Sequence, residues 1–391
     1  MNTETVKGFK DCTGEDAKKR AEIKKILVDT FEKYGFEPAE TPLVEYREFV
    51  QGENKQDEAV SDIFKLKDKG ERDLALRYEF TFQLKRLMQN KKLPYKRYQI
   101  GEVFRDEPIS SNRFRQFTQC DIDTAGSKIK DEAEILALTK EVLDKLGIKF
   151  VIYFNNRKLL NEILEKEGIK EKFQVIKEID KLDKLPEKEI RENLKKFNAE
   201  NMLNIFTKPE KYFETYPSYS EIKELKQALE SYGIEKEIKF APSLARGLSY
   251  YNGTVFEVKT DKVKETITAG GSYMFGGIQC TGISFGLDRL SSLTNIKNNK
   301  TSILVVSLNE DKQAIKIADR LREMNNNVSI FYGKPSKALE YANSYNLNQV
   351  IFVGAEEVKK KQYKIKDMVT GKEKILTLEK KTKKNIVVQR K

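Results

Sequence analysis

Histidine is absent from the 391-residue sequence, and cysteine occurs only three times. The absence of histidine excludes Ser-His-Asp triads, imidazole bases and histidine metal ligands. The cysteines, Cys12, Cys120 and Cys280, form no CxxC pair, so we expect reduced thiols rather than a zinc or redox site. Chemistry must therefore use Arg, Glu, Asp, Gln, Thr and Tyr together with the substrates, which suits phosphoryl or nucleotidyl transfer.

Long apolar runs are also missing. No stretch approaches the roughly 20 apolar residues that a membrane span requires, and residues 1–10 lack the apolar run of a secretory signal. We therefore expect no membrane contact and a cytoplasmic location for a chain long enough for two or three domains. The net charge of +12 permits binding to a phosphate backbone but equally fits a solvated, lysine-rich surface.

The N-terminal part predicts a helix followed by an extended arm. Apolar residues recur there at helical spacing, namely Ala21, Ile23, Ile26, Leu27, Phe31 and Tyr34. Gly35 stands where this helix would end, and Pro38 and Pro42 favour an extended backbone over residues 36–45.

Residues 97–105 and 115–124 alternate as strands on either side of a short polar segment, which predicts an antiparallel hairpin. The second strand then has two faces, one with Phe117, Gln119, Asp121 and Asp123 and the other with Thr118, Cys120 and Ile122. The first of these faces is polar enough to bind a ligand, although a solvent-facing strand surface would show the same pattern.

Two further patterns follow along the chain. Residues 165–232 are rich in Lys and Glu at helical spacing and lie between strand-like segments at 149–154 and 253–259, which predicts a helical insertion. Beyond residue 299, strands alternate with helices, which predicts an α/β domain. The predicted elements are strands at 303–307, 328–332 and 350–354 and helices at 311–324 and 336–345, preceded by a polar linker at 295–300.

Four separate segments resemble one family. Gly35 and Phe36, followed by Pro42 and Glu45, resemble motif 1 of the class II aminoacyl-tRNA synthetases. Residues 104–107 (FRDE) and 113–117 (RFRQF) resemble motif 2, and residues 286–289 (GLDR) resemble motif 3. Residues 246–251 (RGLSYY) and 254–257 (TVFE) are similar to the histidine-specific signature RGLDYY and TVFE of the histidyl-tRNA synthetases.

The resemblance to the histidyl-tRNA synthetases spans most of the chain and implies an α+β fold. An antiparallel class II catalytic sheet would carry a helical insertion and be followed by a C-terminal α/β anticodon-binding domain. The implied division is catalytic core at 1–164, helical insertion at 165–232, second part of the core at 233–298 and anticodon-binding domain at 301–391. The family also implies a homodimer, with motif 1 in its interface.

The implied activity is that of a histidine–tRNA ligase, with L-histidine, ATP, Mg²⁺ and tRNA(His) as substrates and partners. The histidine carboxylate attacks the α-phosphate of ATP, and the histidyl group then passes to the 3′ end of tRNA(His). Because negative charge accumulates at the phosphate, fixed guanidinium groups suit this step. By resemblance Arg105 and Arg246 are catalytic, and ATP contacts Arg105, Glu107, Arg113, Phe117 and Arg289, with Phe117 stacked on adenine.

The implied histidine site combines acceptors for the ammonium group with polar contacts to the imidazole. Its residues are Glu79, Thr81, Gln119, Asp123, Arg246, Tyr250 and Tyr251. Glu79, Thr81 and Gln119 match the family's ammonium positions, and Asp123 and Tyr251 match its imidazole contacts. Such a site rejects apolar rivals by about 10⁴ or more, because its polar groups would otherwise be buried unpaired.

Some positions depart from the family pattern. Ser249 replaces the Asp of RGLDYY, Ser272 replaces the Arg of AGGRYD, and Thr118 stands where the motif 2 strand often has histidine. The segment between residues 273 and 282 is also shorter than usual.

Two alternatives remain for a family member. One is a regulatory subunit of ATP phosphoribosyltransferase, a class that typically lacks the C-terminal domain and several catalytic arginines. The other is a non-catalytic RNA-binding paralogue, which only Ser249 and Ser272 favour.

Overall fold

The computed structural model describes residues 2–52, 58–110, 113–183, 185–246, 250–296 and 301–377. The chain forms two compact units, Met1–Ile296 and Lys297–Lys391. Within the described ranges, no helix is both long and apolar enough to cross a membrane.

The first unit contains both helices and strands. Its helices are α1 (Gly14–Lys33), α2 (Arg47–Gln51), α3 (Glu58–Ser61), α4 (Thr81–Leu87), α5 (Ile129–Lys145), α6 (Arg157–Lys166), α7 (Lys172–Ile179), a 3₁₀ turn (Asp180–Asp183), α8 (Glu187–Lys195), α9 (Met202–Ile205), α10 (Glu210–Phe213), α11 (Tyr219–Ser231) and α12 (Leu287–Leu293). Its strands are β1 (Glu37–Pro38), β2 (Val44–Tyr46), β3 (Lys65–Lys67), β4 (Asp73–Leu76), β5 (Tyr95–Phe104), β6 (Gln116–Ala125), β7 (Val151–Asn156), β8 (Ile238–Phe240), β9 (Tyr251–Thr260), β10 (Val263–Phe275) and β11 (Ile278–Gly286).

An eight-stranded sheet organises this unit, in the order β1-β5-β6-β11-β10-β9-β7-β8. Neighbouring strands from β5 to β7 are antiparallel, whereas the edge strands β1 and β8 pair in parallel. The predicted hairpin is confirmed, since β5 and β6 pair from Tyr95↔Ala125 to Phe104↔Gln116.

One face of this sheet is covered by α1 and α5. Cys120 and Ile122 on β6 lie in the main hydrophobic core with Ile23, Leu27 and Phe31 of α1. Each fully buried side chain of this size contributes about 1.5–3 kcal/mol by leaving water. Because side chains alternate along a strand, burying this apolar face places the polar face of β6 on the other side of the sheet.

The predicted first helix is confirmed as α1, although it begins earlier than the apolar pattern indicates. Glu15 and Asp16 lie in its first turn, where acidic side chains interact favourably with the helix dipole. After Lys33 the chain reaches Gly35, whose φ of 77° is the left-handed conformation that ends helices and that glycine adopts readily.

The predicted extended arm is only partly β-structure. β1 pairs with β5, and β2 joins a small three-stranded sheet in the order β2-β4-β3, which was not predicted. This part of the surface exposes large apolar side chains, namely Leu43, Val44, Tyr46 and Leu66.

Between β7 and β8 the chain is helical, from α6 to α11. The predicted helical segment therefore contains helices, but α6 begins before residue 165, at Arg157. Buried side chains from successive helices, among them Val175, Ile190 and Leu225, extend the main core of the unit.

The second unit contains helices α13 (Asp311–Glu323), α14 (Pro335–Ser344) and α15 (Ala355–Lys360) and strands β12 (Ser302–Ser307), β13 (Asn327–Tyr332), β14 (Gln349–Val353), β15 (Gln362–Asp367) and β16 (Glu373–Thr377). Its sheet has the order β13-β12-β14-β15-β16. The predicted α/β pattern is confirmed by the parallel pairing of β12 with β13 and β14. The antiparallel strands β15 and β16 extend the sheet beyond that prediction.

Candidate active site

The polar face of the β5–β6 hairpin lies on the side of the sheet away from α1. Gln119, Asp121 and Asp123 are almost completely buried there. Gln119 Nε2 donates a hydrogen bond to Ser284 Oγ on β11 at 2.8 Å. This burial contradicts the alternative of a solvent-facing strand surface.

Asp123 is held in place by one side chain at each of its carboxylate oxygens. Arg97 Nη2 lies 2.8 Å from Asp123 Oδ2, and the Tyr273 hydroxyl donates to the other carboxylate oxygen. A Cβ atom at Gly282 would collide with this carboxylate, so glycine is required for the close approach. Each carboxylate oxygen still has a second lone pair that can accept a hydrogen bond from a ligand.

Two carboxyl groups near Asp123 have raised pKa values. Burial raises the pKa of Glu79 to about 7, an effect that Arg105 opposes and Asp121 reinforces. Burial likewise raises the pKa of Asp121 to about 7, with Asp123 reinforcing it. A nearby cation would favour the ionised form of both groups, so this cluster suits a positively charged ligand.

Arg105 follows β5 and approaches the same cluster. Its Nε donates to the Tyr78 carbonyl at 3.2 Å, and its Nη1 lies 3.7 Å from Glu107 Oε1. The guanidinium also lies over the half-buried ring of Phe117, 5.2 Å from its centroid. Arg105 is thereby held between the carboxylates of the polar face and the hairpin loop.

Arg113 and Arg289 converge from different elements. Arg113 Nη1 lies 3.3 Å from Glu107 Oε2, and 59% of its side chain is exposed. Arg289, on α12, donates from Nη1 to the Thr266 carbonyl. Burial lowers the pKa of Arg289; Glu265 opposes this shift and Arg113 adds to it. Two like charges held close enough to interact favour an anionic ligand between them.

Asp288 ties α12 to the rest of the unit. It accepts hydrogen bonds from Arg20 Nη1 at 2.6 Å and from the Thr118 backbone N–H at 3.4 Å. Arg20 Nη2 donates to Thr118 Oγ1 at 2.9 Å. A threonine hydroxyl thus completes the contact between α1, β6 and α12 at the position where the family often has histidine.

Arg246 has a backbone conformation that arginine rarely adopts. Its φ of 47° lies in the left-handed region, which costs about 1–2 kcal/mol for a residue with a Cβ atom. Nη1 lies 2.7 Å from Glu257 Oε1, and Glu257 Oε2 accepts from Thr266 Oγ1 at 3.0 Å. Burial favours a lower pKa for Arg246, but Tyr251, Glu257 and Asp180 outweigh it and raise the pKa.

The tyrosine pair and Thr81 complete the set of predicted residues. The ring centroids of Tyr250 and Tyr251 are 4.8 Å apart, and Tyr250 lies 5.4 Å from Tyr273. Burial raises the pKa of both Tyr250 and Tyr251, so their hydroxyls remain protonated donors at neutral pH. Thr81 is buried at the first residue of α4, two positions after Glu79.

Besides Arg97 Nε, three buried polar atoms of this region have no hydrogen-bond partner among the residues that the structure describes. They are Gln119 Oε1, Asp121 Oδ1 and Arg246 Nε. An unsatisfied buried group costs about 1–3 kcal/mol, so three in one region indicate a missing ligand. Such a ligand would offer donors to the two oxygens and an acceptor to the guanidinium.

The departures from the family pattern have different outcomes. The Ser272 hydroxyl donates to Glu132 and lies 2.8 Å from Thr281 Oγ1, so this serine has buried partners of its own. Burial raises the pKa of Glu132 to about 7, and hydrogen bonds from Ser272 and Thr254 oppose that shift. Ser249 lies outside the described residues.

The short segment between residues 273 and 282 is a tight hairpin. Gly276 and Gly277 connect β10 to β11 with φ of 55° and 79°. Positive φ at both central residues characterises a two-residue turn that matches the twist of the strands.

Three residues that hold the polar face were not predicted from the sequence: Arg97, Tyr273 and Ser284. Arg97 was recognised only as the start of a strand, although it lies directly opposite Asp123. The available signal was the pairing register of the hairpin, which brings this arginine beside that carboxylate. Tyr273 and Ser284 lie on β10 and β11, whose positions in the sheet no local pattern specifies.

Two family models match the chain. One describes histidyl-tRNA synthetase and matches residues 8–290; the other describes an anticodon binding domain and matches residues 302–385. Histidine–tRNA ligase 1 of Bacillus anthracis is 34% identical, covering 95% of this chain and 97% of its own length. The solved histidyl-tRNA synthetase of Nostoc sp. PCC 7120 has a TM-score of 0.84 at 25% identity, covering 96% of this chain and 97% of that chain.

A further solved structure bears on the alternatives. It is described as an ATP phosphoribosyltransferase regulatory subunit/histidyl-tRNA synthetase from Bacillus halodurans C. Its TM-score is 0.76 at 22% identity, covering 90% of this chain and 98% of that chain, and at this identity it shows a shared fold alone. The family match over residues 8–290 and the curated relatives at 34% identity decide the matter: the chain belongs to the histidyl-tRNA synthetase family of class II aminoacyl-tRNA synthetases.

Proposed function

We propose that the chain is a histidine–tRNA ligase that activates L-histidine with ATP and transfers the histidyl group to the 3′ end of tRNA(His). Family membership supports the reaction. In its first step the histidine carboxylate attacks the α-phosphate, pyrophosphate leaves, and histidyl-adenylate remains bound. The residues proposed for these roles belong to or adjoin β5, β6 and their connecting loop, α4, α12 and the segment that leads into β9.

The observation that carries this proposal is the set of unsatisfied atoms between a carboxylate cluster and the arginines. An amino acid ammonium group would donate to Gln119 Oε1 and to the carboxylates of Glu79 and Asp121, with Thr81 beside them. The carboxylate and α-phosphate would accept from Arg246, whose Nε is otherwise unpaired. One ligand would thereby satisfy all three atoms.

The imidazole would lie towards Asp123 and the tyrosines. Asp123 is already oriented by Arg97 and Tyr273, which fixes the carboxylate before a substrate arrives. The hydroxyl of Tyr251 provides a second polar contact for the other ring nitrogen. An apolar amino acid would leave these groups buried and unpaired, so no editing step is needed.

ATP would bind beside the hairpin loop. Arg105 and Arg246 would stabilise the charge that develops at the α-phosphate, while Arg113 and Arg289 hold the outer phosphates. Phe117 offers its half-buried ring to adenine. Glu107, which contacts both Arg105 and Arg113, would keep these two guanidinium groups apart and aligned.

Mg²⁺ would arrive with ATP. Over the described part of the chain there is no group of three or more acidic, histidine or cysteine side chains that could hold a metal ion. Mg²⁺ in proteins is commonly bound by substrate phosphates, waters and one or two carboxylates, and Glu107 is a carboxylate that contacts two of the proposed phosphate-binding arginines, Arg105 and Arg113. The bound ion would neutralise phosphate charge.

We also propose a homodimer and a tRNA contact. The exposed apolar residues Leu43, Val44 and Tyr46 lie in the motif 1 segment, and such clusters mark interaction surfaces. The second unit, which matches an anticodon binding domain, would contact tRNA(His). We place the reaction in the cytoplasm, where tRNA is charged.

Amino-acid-dependent ATP–pyrophosphate exchange, measured with each of the twenty amino acids, tests the proposal. Histidine alone should support exchange, and Arg246→Ala should lower it by about 10² or more, the usual loss when a preorganised charge donor is removed. Arg191→Ala, which removes a partly exposed arginine of α8 that pairs with Glu187, should change nothing. Exchange with another amino acid, or full activity in Arg246→Ala, contradicts the assignment.

The same assay distinguishes the proposed ligase from both alternatives. A regulatory subunit of ATP phosphoribosyltransferase would support no exchange with any amino acid. A non-catalytic RNA-binding paralogue would bind tRNA but likewise give no exchange.

A further inference from the structure

The segment that carries Arg246 is fastened through its own backbone carbonyl groups. Asn155 Nδ2 donates to the carbonyl oxygens of Pro242 at 3.0 Å and Leu244 at 2.9 Å. Both bonds come from one side chain, which is 1% exposed. The residues that precede Arg246 are therefore hydrogen-bonded to strand β7.

Arg157 binds the next two carbonyl groups. Its Nη1 donates to the carbonyl oxygen of Ala245 at 2.7 Å and to that of Arg246 itself at 3.2 Å. Arg157 is 6% exposed and is the first residue of α6. Together, Asn155 and Arg157 bind four carbonyl groups among residues 242–246.

The support for these two side chains is rigid. β7 pairs with β9 in the central sheet, and Asn155 lies opposite Val255. Both strands are part of the buried core around Phe154 and Phe256. The carbonyl groups are thus held by regular secondary structure rather than by another loop.

Arg246 needs such support because its backbone is in the left-handed region. Residues with a Cβ atom keep that conformation only when the surrounding structure imposes it. The ion pair with Glu257 fixes the guanidinium end of the side chain but not the backbone that carries it.

We propose that Asn155 and Arg157 are positioning residues for Arg246. By binding the carbonyl groups of residues 242–246, they hold the left-handed backbone at Arg246 and so direct its guanidinium towards the α-phosphate of ATP. Neither residue is assigned a contact with substrate. The inference rests on the proposed role of Arg246 in adenylate formation.

The residues between and after them provide a matched control. Asn156 Nδ2 and Lys158 Nζ contact Glu221 of α11, at 2.8 Å and 2.5 Å. Within the tetrapeptide 155–158, the first and third side chains therefore bind the segment that carries Arg246, whereas the second and fourth bind α11. Lys158→Met removes a positive charge from this tetrapeptide without removing a bond to residues 242–246.

A double-mutant cycle on the full-length protein tests the proposal. Arg157→Met should lower kcat for histidine-dependent exchange by about 10-fold to 10²-fold, because a small misplacement of a catalytic group has effects of that size. The KM for ATP should change far less, since the phosphate arginines Arg113 and Arg289 remain. In the Arg246→Ala background the same substitution should cause little further loss.

Two additional variants sharpen the result. Arg157→Lys, which keeps the charge and a single donor nitrogen, should restore part of kcat, and Lys158→Met should leave kcat unchanged. If Arg157→Met does not fold, as judged by its thermal transition, Asn155→Ser goes through the same cycle and decides the matter. Equal losses with and without Arg246 would overturn the proposal, as would an unchanged kcat in the folded variant.

Amide hydrogen exchange separates this inference from the proposed function. If the wild-type chain supports no histidine-dependent exchange of pyrophosphate, the proposed function fails. The effect of Asn155 and Arg157 on the backbone of residues 242–246 can still be measured. Amides of residues 243–246 should exchange faster with solvent in Arg157→Met than in Lys158→Met. Equal rates in the two variants would contradict the positioning role whether or not the protein is active.

Discussion

Arg97 and Asp123 form an ion pair in the interior of the large sheet, with Arg97 Nη2 2.8 Å from Asp123 Oδ2 and side-chain exposures of 0% and 5%. Removing one partner of such a pair leaves the other as an uncompensated buried charge. Asp123→Asn should therefore lower the free energy of unfolding by about 3–5 kcal/mol in chemical denaturation. The control Asp144→Asn, at an exposed ion pair with Lys140, should cost less than about 1 kcal/mol. Similar losses in the two variants would contradict this account.

The stability of the free protein should depend on pH through Glu79 and Asp121. Their pKa values are about 7 in the folded protein but near 4 in an unfolded chain. Between these values the folded state binds more protons, so the contribution of these groups to the free energy of unfolding rises as pH falls from about 8 to 6. Denaturation of the Glu79→Gln/Asp121→Asn double variant should show a smaller increase, because Glu132, whose pKa burial also raises to about 7, still contributes to it. A slope identical to that of the wild type would show that other groups cause it.

Histidine binding should respond to pH in the opposite direction. The ammonium group favours the ionised form of these carboxyl groups, so affinity should weaken as they become protonated below about pH 7. Titration calorimetry between pH 8 and 6 measures the change. Because the ligand imidazole itself titrates near pH 6.5, Glu79→Gln serves as the reference that retains the contributions of the ligand and of Asp121. Parallel pH profiles for wild type and Glu79→Gln would exclude a role for Glu79.

A fragment of residues 1–300 should keep histidine-dependent exchange but charge tRNA poorly. Every residue proposed for the site lies in the compact unit Met1–Ile296, whereas the match to an anticodon binding domain lies beyond it. The affinity of the full chain for tRNA should also fall steeply with salt, as expected for phosphate contacts. Aminoacylation kinetics compare the two proteins. Equal charging by fragment and full chain would refute the role proposed for the second unit.

Local patterns were sufficient to predict much of the fold. The alternation over residues 115–124 identified both faces of β6, because burial against α1 follows directly from period two. The three-residue strands β2 and β3 could not be predicted, since they are too short to show periodicity, and β2 pairs with β4 rather than with its sequence neighbour. Strands β15 and β16 were missed although they pair with each other as sequence neighbours.

The site residues were predicted from family motifs. The residues that hold them in place are recognised only in the three-dimensional structure. Asp123 was singled out from the strand pattern, but Arg97 is its partner only through the register of β5 against β6. Asn155 and Arg157 bind carbonyl groups 87 to 89 residues further along the chain. No local pattern specifies such a contact, because it depends on where the helices between β7 and β8 return the chain.

The hydrogen bond from Arg20 to Thr118 completes the contact between α1, β6 and α12 without a histidine side chain. The 391-residue sequence contains no histidine at any other position either. A ribosome can therefore translate these 391 residues after charged tRNA(His) has run out, so their synthesis does not depend on the product of the proposed enzyme. In cell-free translation depleted of histidine, we expect an undiminished yield of full-length chain, whereas Thr118→His should arrest at codon 118 until histidine is added. A yield of the unaltered chain that falls with histidine depletion would contradict this. Cells emerging from histidine shortage could then rebuild their charging capacity before making any protein that contains the amino acid.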